Sequence, residues 1–202
     1  MSGPTSSRLG AASGIVFVVA LMSTGGSEDT SSARLAAEVV ALLLFVPFLA
    51  YMWSVLRPHD VSGGGWMSAT MLCSGAIALT VKVGSVIPVI ALQQDEIGPT
   101  LDAPLQRVAD IAFIVSLPPL GLCLGAVAAI VLRSRALPVW LGWMAAASAP
   151  LLVANGLAVS SDQGPAFVLF LLWTLLAAIV LLRTAMASEQ MPIKTWDSQS
   201  AS

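Results

Sequence analysis

Six long apolar runs constrain this chain more than any other feature of its sequence. They cover residues 9–24, 35–56, 66–87, 105–132, 139–159 and 165–182. A helix of about 20 apolar residues is long enough to cross the hydrocarbon core of a bilayer. The runs lack the two-residue alternation of membrane β-strands, and lipid offers no partner for unpaired backbone groups. The sequence therefore predicts an all-α, integral-membrane bundle of six transmembrane helices.

The composition agrees with this class. The chain of 202 residues is 57% hydrophobic and 10% charged, with a mean hydropathy of +0.88, whereas soluble domains are about a quarter charged. The net charge of -2 is spread over the loops, and no basic run indicates nucleic-acid binding. We expect one domain over residues 1–187 with the lipid bilayer as its surroundings. Residues 188–202 are predicted to form a polar, disordered cytoplasmic tail.

The first run resembles a signal peptide in its length and in the single basic residue before it. Residues 22–27 follow it and lack the A-x-A pattern of a cleavage site. We therefore expect the first run to be retained as a helix.

The basic residues predict the orientation of the bundle. With the amino terminus inside, six of them fall on the cytoplasmic side and two on the outer side, and cytoplasmic loops normally carry the excess of Lys and Arg. Both termini are therefore predicted to be cytoplasmic. The preference for Arg, together with abundant Ala, Gly, Val and Leu, is typical of a high-GC bacterial protein, so we expect a bacterial plasma membrane. The inner six are Arg8, Arg57, Arg133, Arg135, Arg183 and Lys194, and the outer two are Arg34 and Arg107.

Lys82 lies well inside the third apolar run. An ammonium at membrane depth is unfavourable and needs a partner. At 1.5 Å per residue from Trp66, Lys82 lies about 24 Å along its helix, near the outer edge of a core about 30 Å thick. Glu38, Asp110 and Asn155 reach a similar height on their own helices. These four residues predict a polar layer in the outer leaflet.

Part of this layer has local partners on the same helix. Arg34 and Glu38 are spaced i,i+4, and Arg107 and Asp110 are spaced i,i+3, so each couple can meet on one helical face. Lys82 has no such neighbour, and its partner must come from another helix. Glu38 is the first candidate, Asp110 the second, and Asn155 a neutral hydrogen-bond acceptor. The candidate ligand-binding residues are Lys82, Glu38, Asp110, Asn155, Arg34 and Arg107.

Two functions fit such a layer. One is an outward-facing pocket that binds or passes a small polar or anionic solute. The other is an ion-pair layer that only fixes helix register, in a non-catalytic accessory subunit that assembles with a membrane-protein partner or with copies of itself. Gly84 and Pro88 favour the pocket, because they loosen the helix just beyond Lys82. Gly121 and Gly125, and the small residues 145–149, indicate close contacts between helices.

The sequence offers no set of residues for catalysis. His59 is the single histidine and lies in a polar loop, while Cys73 and Cys123 lie inside apolar runs without metal-ligand spacing. No nucleophile, base and orienting residue are grouped around Lys82. We therefore predict no catalytic residues, no cofactor and no metal.

Three stretches resemble a known family. They are the opening from Arg8 to Gly14, the second helix with Arg34, Glu38 and its end Leu56-Arg57-Pro58, and the entry to the fifth helix, Leu-Pro-Val-Trp-Leu-Gly-Trp at 137–143. In these, the chain is similar to an uncharacterised bacterial family of small multi-pass membrane proteins, classed under a domain of unknown function. The resemblance covers about a third of the chain, implies an integral-membrane bundle and draws attention to Arg34 and Glu38 together. It implies no activity, substrate or cofactor, and this chain departs from it in a very short first external loop.

Overall fold

The computed structural model describes residues 4–24, 32–92, 99–158 and 164–189, and within these ranges all regular structure is helical. Lys194 and nearly all of the predicted tail at 188–202 lie outside the described residues. Seven α-helices follow one another along the chain. They are α1 (Pro4–Thr24), α2 (Ser32–Leu56), α3 (Trp66–Gly84), α4 (Val86–Ala91), α5 (Asp102–Ser134), α6 (Val139–Ala158) and α7 (Gly164–Glu189).

The prediction of six long apolar helices is confirmed. The described residues contain six helical stretches long and apolar enough to cross a membrane, and α3 and α4 together form one of them, Trp66–Ala91. Each observed helix covers nearly all of its predicted run, and most extend several residues beyond it. The largest extension is at α7, which covers Gly164–Glu189 where 165–182 was predicted. Helix α5 runs unbroken through Pro118 and Pro119 for 33 residues.

The helices form a closed ring in chain order. α1 packs on α2, α2 on α3, α3 on α5, α5 on α6, α6 on α7, and α7 returns to α1. The short α4 continues past the end of α3 and packs on α2 and α5. Short connections between antiparallel neighbours account for this order. Side chains on the inward-facing side of each helix therefore meet at the centre of the ring.

All six phenylalanines of the chain meet in one aromatic group, which we call the phenylalanine cluster. Its centre is Phe45 of α2, whose ring centroid lies 5.0 Å from Phe17, 5.9 Å from Phe48 and 5.9 Å from Phe170. Phe167 extends the group from Phe170 towards α5, where the rings of Phe167 and Phe113 meet edge to face at 5.2 Å. Such contacts add to the burial of large apolar rings. The cluster thus joins α1, α2, α5 and α7.

Glycines set the closest helix contacts. A Cβ on Gly121 of α5 would lie 2.7 Å from the Ala149 carbonyl oxygen of α6, so the contact that the small residues predicted is present. Gly156 of α6 faces the Pro118 ring, which a Cβ placed there would overlap. On the other side of the ring, Gly10 and Gly14 of α1 let α2 approach in the same way. Close backbone approach of this kind drives helix association in lipid.

The α2–α3 connection is organised by one carboxylate. Asp60 Oδ2 accepts the backbone N–H of Ser68 at 2.7 Å and so caps the first turn of α3, while Oδ1 accepts the backbone N–H and the hydroxyl of Ser62. The intervening residues 63–65 are three glycines with positive φ, a conformation that other residues adopt only with strain. Partial desolvation acts to raise the pKa of Asp60, but the hydrogen bonds from Ser62 and Ser68 prevail and lower it from 3.8 to about 2.

We predict that Gly121→Ala and Gly156→Ala each destabilise the bundle by about 1 to 3 kcal/mol, because the new methyl group overlaps atoms of the facing helix. Thermal unfolding in detergent measures the effect. Gly84→Ala is the matched control, since no atom lies within 4 Å of a Cβ built there. Equal melting temperatures for all three variants would contradict the assigned α5–α6 contact.

We predict that Asp60 gives the fold a stability that depends on pH. Its pKa is lower in the folded chain than the ordinary 3.8, so its contribution is complete above about pH 4 and is lost as the pH falls towards 2. The measurement compares the melting temperature of the parent and of Asp60→Asn from pH 7 down to pH 2. The parent should lose its advantage of about 1 kcal/mol on acidification, because the variant has no carboxylate to protonate. A difference independent of pH would contradict this role.

Candidate functional site

Lys82 is joined to Glu38 across two helices. Lys82 Nζ of α3 lies 3.3 Å from Glu38 Oε1 of α2, and the two side chains are 19% and 21% exposed. The first of the predicted partners is therefore the one that the structure shows. Exposure of about a fifth leaves both charges in contact with the space above them, so the pair is only partly desolvated.

A second contact fixes the ammonium from the other side. Lys82 Nζ lies 4.7 Å from the ring centroid of Phe113, a cation–π distance. Phe113 belongs to α5 and is also the outermost ring of the phenylalanine cluster. Lys82 thus connects α3 to a carboxylate on α2 and to an aromatic face on α5. The sequence did not single out Phe113, because a phenylalanine in an apolar run gives the same signal as any core residue.

A large open cavity surrounds this pair. Its volume is about 720 Å³, and its walls come from α2, α5, the outer end of α3 and the start of α4. Five of the six predicted site residues line it, namely Arg34, Glu38, Lys82, Arg107 and Asp110. The remaining lining consists of Ser85 and apolar side chains, which are Leu35, Val86, Val89, Ala109, Ile111, Phe113 and Ile114. Asn155 is half-buried on α6 and is not among the described residues of this lining.

Neither of the predicted same-helix pairs, Arg34–Glu38 and Arg107–Asp110, forms an ion pair in the described part of the chain. Glu38 forms its ion pair with Lys82, and within the described ranges it forms none with Arg34, which has an interaction of its own. Arg107 and Asp110 are exposed and form no ion pair with each other or with any other described residue. A surface pair one turn apart contributes only about 0.2 to 0.5 kcal/mol, which is too little to hold two solvated side chains together.

The wall formed by α4 exists because the third span is interrupted. α3 ends at Gly84, and the Ser85 hydroxyl donates to the Lys82 carbonyl oxygen at 2.7 Å. Pro88 lacks an N–H, so the carbonyl of Gly84 has no helical donor four residues ahead. Helix α4 resumes at Val86 and places Val89 on the cavity. The loosening predicted from Gly84 and Pro88 thus lies at the edge of the site.

The phenylalanine cluster closes the cavity at its inner end. Directly below Lys82 there is a separate void of about 30 Å³, the space of roughly one water molecule. Lys82 lines both spaces, and the void is otherwise bounded by Phe17, Leu42, Phe45, Ala78, Leu79, Ser116, Leu120, Phe167 and Phe170. The centre of the ring is therefore polar and open at one end and narrow and lined by aromatic rings below it.

The side chains that line the cavity are suited to binding a ligand. Its walls carry three cationic and two anionic side chains, with a single hydroxyl from Ser85. Among the described residues, no three His, Cys, Asp or Glu side chains are grouped as a metal ion would require. Charged groups of both signs beside an apolar floor can hold a polar solute by its charges and its apolar surface together.

Comparison with known proteins finds no matching family model, no matching curated protein and no matching solved structure. The similarity to a bacterial membrane-protein family therefore stays an expectation from the sequence. The function has to be inferred from the cavity and its charges.

We predict that the Lys82–Glu38 pair is a true energetic coupling. Lys82→Met and Glu38→Gln should each lower the unfolding free energy by about 1 to 3 kcal/mol, because each leaves a partly buried charge without its partner. The double variant should lose much less than the sum of the two. Thermal unfolding in detergent of all four proteins gives the coupling energy.

Arg107→Gln is the control for this cycle, because Arg107 lines the same cavity without an ion pair to a described residue. It should leave the unfolding free energy nearly unchanged. Strictly additive effects of Lys82→Met and Glu38→Gln would show that the two residues stabilise the fold independently.

Proposed function

We propose that this chain is a bacterial plasma-membrane protein with both termini in the cytoplasm, which binds a small polar or anionic solute from the outside. The observation that carries the proposal is the cavity at one end of the ring, with five charged side chains in its walls. Passage of the solute across the membrane would be a later step, because the phenylalanine cluster fills the path below the cavity.

The distribution of charge supports the outward orientation. Arg57, Arg133 and Arg135 lie at the α2–α3 and α5–α6 connections, at the end of the bundle away from the cavity. Arg34 and Arg107 lie at the cavity end. The excess of arginine belongs on the cytoplasmic side. The opposite end of the bundle, which contains the cavity, then faces the outside.

The exposed tryptophans agree with the same placement. Trp66, Trp140 and Trp143 lie near the arginine-rich connections and are 57%, 46% and 65% exposed. Tryptophan is enriched where a membrane meets water, because its ring is apolar and its N–H polar. These three side chains fit the cytoplasmic interface of the proposed orientation.

The size and charge of the cavity support a small solute. A volume of about 720 Å³ falls within the range of about 300 to 1,000 Å³ found for small-molecule sites. The lining has one more cationic than anionic side chain, which favours a solute with at least one negative group. Arg107 is exposed and has no ion pair among the described residues, so its guanidinium can receive that group.

The competing function is a non-catalytic accessory subunit of a membrane complex or homo-oligomer. One observation favours it: Lys82 already has a carboxylate and an aromatic ring as partners, so its charge needs no ligand. In that case the polar layer only holds α2, α3 and α5 in register. The cavity would then be a solvated surface depression.

We predict that a cysteine placed in the cavity reacts from the outside and is protected by solute. Ala109→Cys, in a chain with Cys73→Ser and Cys123→Ala, should react with a membrane-impermeant maleimide added to intact cells, because position 109 lines the cavity. Small carboxylates and amino acids, added one at a time, should slow the reaction when they occupy the site. The labelling rate is the measured quantity.

Ser134→Cys in the same background is the control. Position 134 ends α5 at the arginine-rich side, so it should react only after the membrane is permeabilised. Labelling of position 134 from outside, with none at 109, would reverse the proposed orientation. Labelling at 109 that no solute slows would favour the accessory-subunit function.

A further inference from the structure

We propose that the solute is zwitterionic and carries an apolar side group, as an apolar α-amino acid does. This inference rests on the proposed function and names the class of its ligand. Two charged side chains of the cavity, Arg107 and Asp110, have no ion pair to a described residue, and most of the uncharged lining is apolar. These two features indicate the class of the ligand.

The charged side chains fall into two sets. Lys82 and Glu38 neutralise each other at 3.3 Å, and Arg34 has an interaction of its own. Arg107 and Asp110 are exposed and form no ion pair with a described residue. The groups open to a ligand are therefore one guanidinium and one carboxylate.

The spacing of the open pair suits one ligand with two charges. Arg107 and Asp110 are three residues apart on α5, which places their Cβ atoms about 5 to 6 Å apart on the same helical face. An Arg guanidinium binds a carboxylate through two parallel hydrogen bonds, and an Asp carboxylate accepts from an ammonium. A ligand with an ammonium and a carboxylate on neighbouring atoms satisfies both. A simple anion would leave Asp110 facing its negative charge.

The rest of the lining calls for an apolar group on the same ligand. Apart from Ser85 the uncharged lining is apolar, with Val86 and Val89 on one wall and Phe113 and Ile114 on the other. The Phe113 ring contacts the Lys82 ammonium with its face and packs edge to face with Phe167 of the phenylalanine cluster. A side group that covers these surfaces releases water from them. A small hydrophilic zwitterion such as glycine would leave them wet.

The experiment is equilibrium binding to the full chain in lipid nanodiscs, with four probes that separate these features. L-phenylalanine has both charges and an apolar group, phenylpropionate lacks the ammonium, phenethylamine lacks the carboxylate, and glycine lacks the apolar group. We expect L-phenylalanine to bind about tenfold or more tightly than each of the other three.

Two variants assign the charges. Asp110→Asn should weaken L-phenylalanine about tenfold and tighten phenylpropionate, because it removes the carboxylate that repels a simple anion, whereas Arg107→Gln should weaken both. Arg133→Gln, at the opposite end of α5, is the matched control and should change neither. Melting temperatures close to that of the parent show that the variants are folded, as expected for side chains without an ion pair to a described residue.

The outcomes separate this inference from the proposed function. Phenylpropionate binding as tightly as L-phenylalanine, or glycine doing so, would overturn the ligand class while leaving a solute-binding cavity. Phenethylamine as the tightest probe would also overturn it. If no probe binds, the inference falls, and protection of position 109 by another solute then decides whether the proposed function survives.

Discussion

The half of this bundle that carries the cavity depends on where one ammonium group is placed. Lys82 lies in an apolar helix, where a charge needs partners, and it is compensated by Glu38 of α2 and by the face of Phe113 of α5. Removing a charge from water costs free energy, which only well-placed partners offset. The positions of three helices are therefore coupled to one side chain. The Lys82 and Glu38 side chains remain about a fifth exposed, and the surface that they expose lines the cavity.

Other contacts between neighbouring helices depend on shape instead of charge. Gly121 and Gly156 bring α5 and α6 close enough for backbone to meet side chain, and Gly10 and Gly14 do the same for α1 and α2. Lipid chains are as apolar as the helices, so close packing has to supply the stability that water exclusion supplies in soluble proteins. The phenylalanine cluster fills the middle of the ring, where six helices leave more space than small residues can occupy.

The sequence predicted the helices well because length and apolarity decide them, and lipid leaves few alternatives to a helix. It also named Glu38 as the first of three candidate partners for Lys82, since an ammonium in an apolar run must find a partner at its own depth, and the structure shows that one. It missed Phe113 and the pairing of Gly10 and Gly14 with α2, because these depend on how neighbouring helices are rotated. Asn155 reaches the expected height, but height along a helix does not determine the direction in which a side chain points.

The separation of engaged from open charges has a consequence for how binding and passage relate. Arg107 and Asp110 can receive a ligand while Lys82 stays on Glu38, so binding need not weaken the contacts that hold the outer helices. Passage would require more, because the path below runs through Lys82, the one side chain shared by the cavity and the void, and through the phenylalanine rings. A ligand can drive such a rearrangement only if it binds the rearranged state more tightly. If the proposed function holds, occupancy of the cavity and passage through the bundle would therefore depend on different residues.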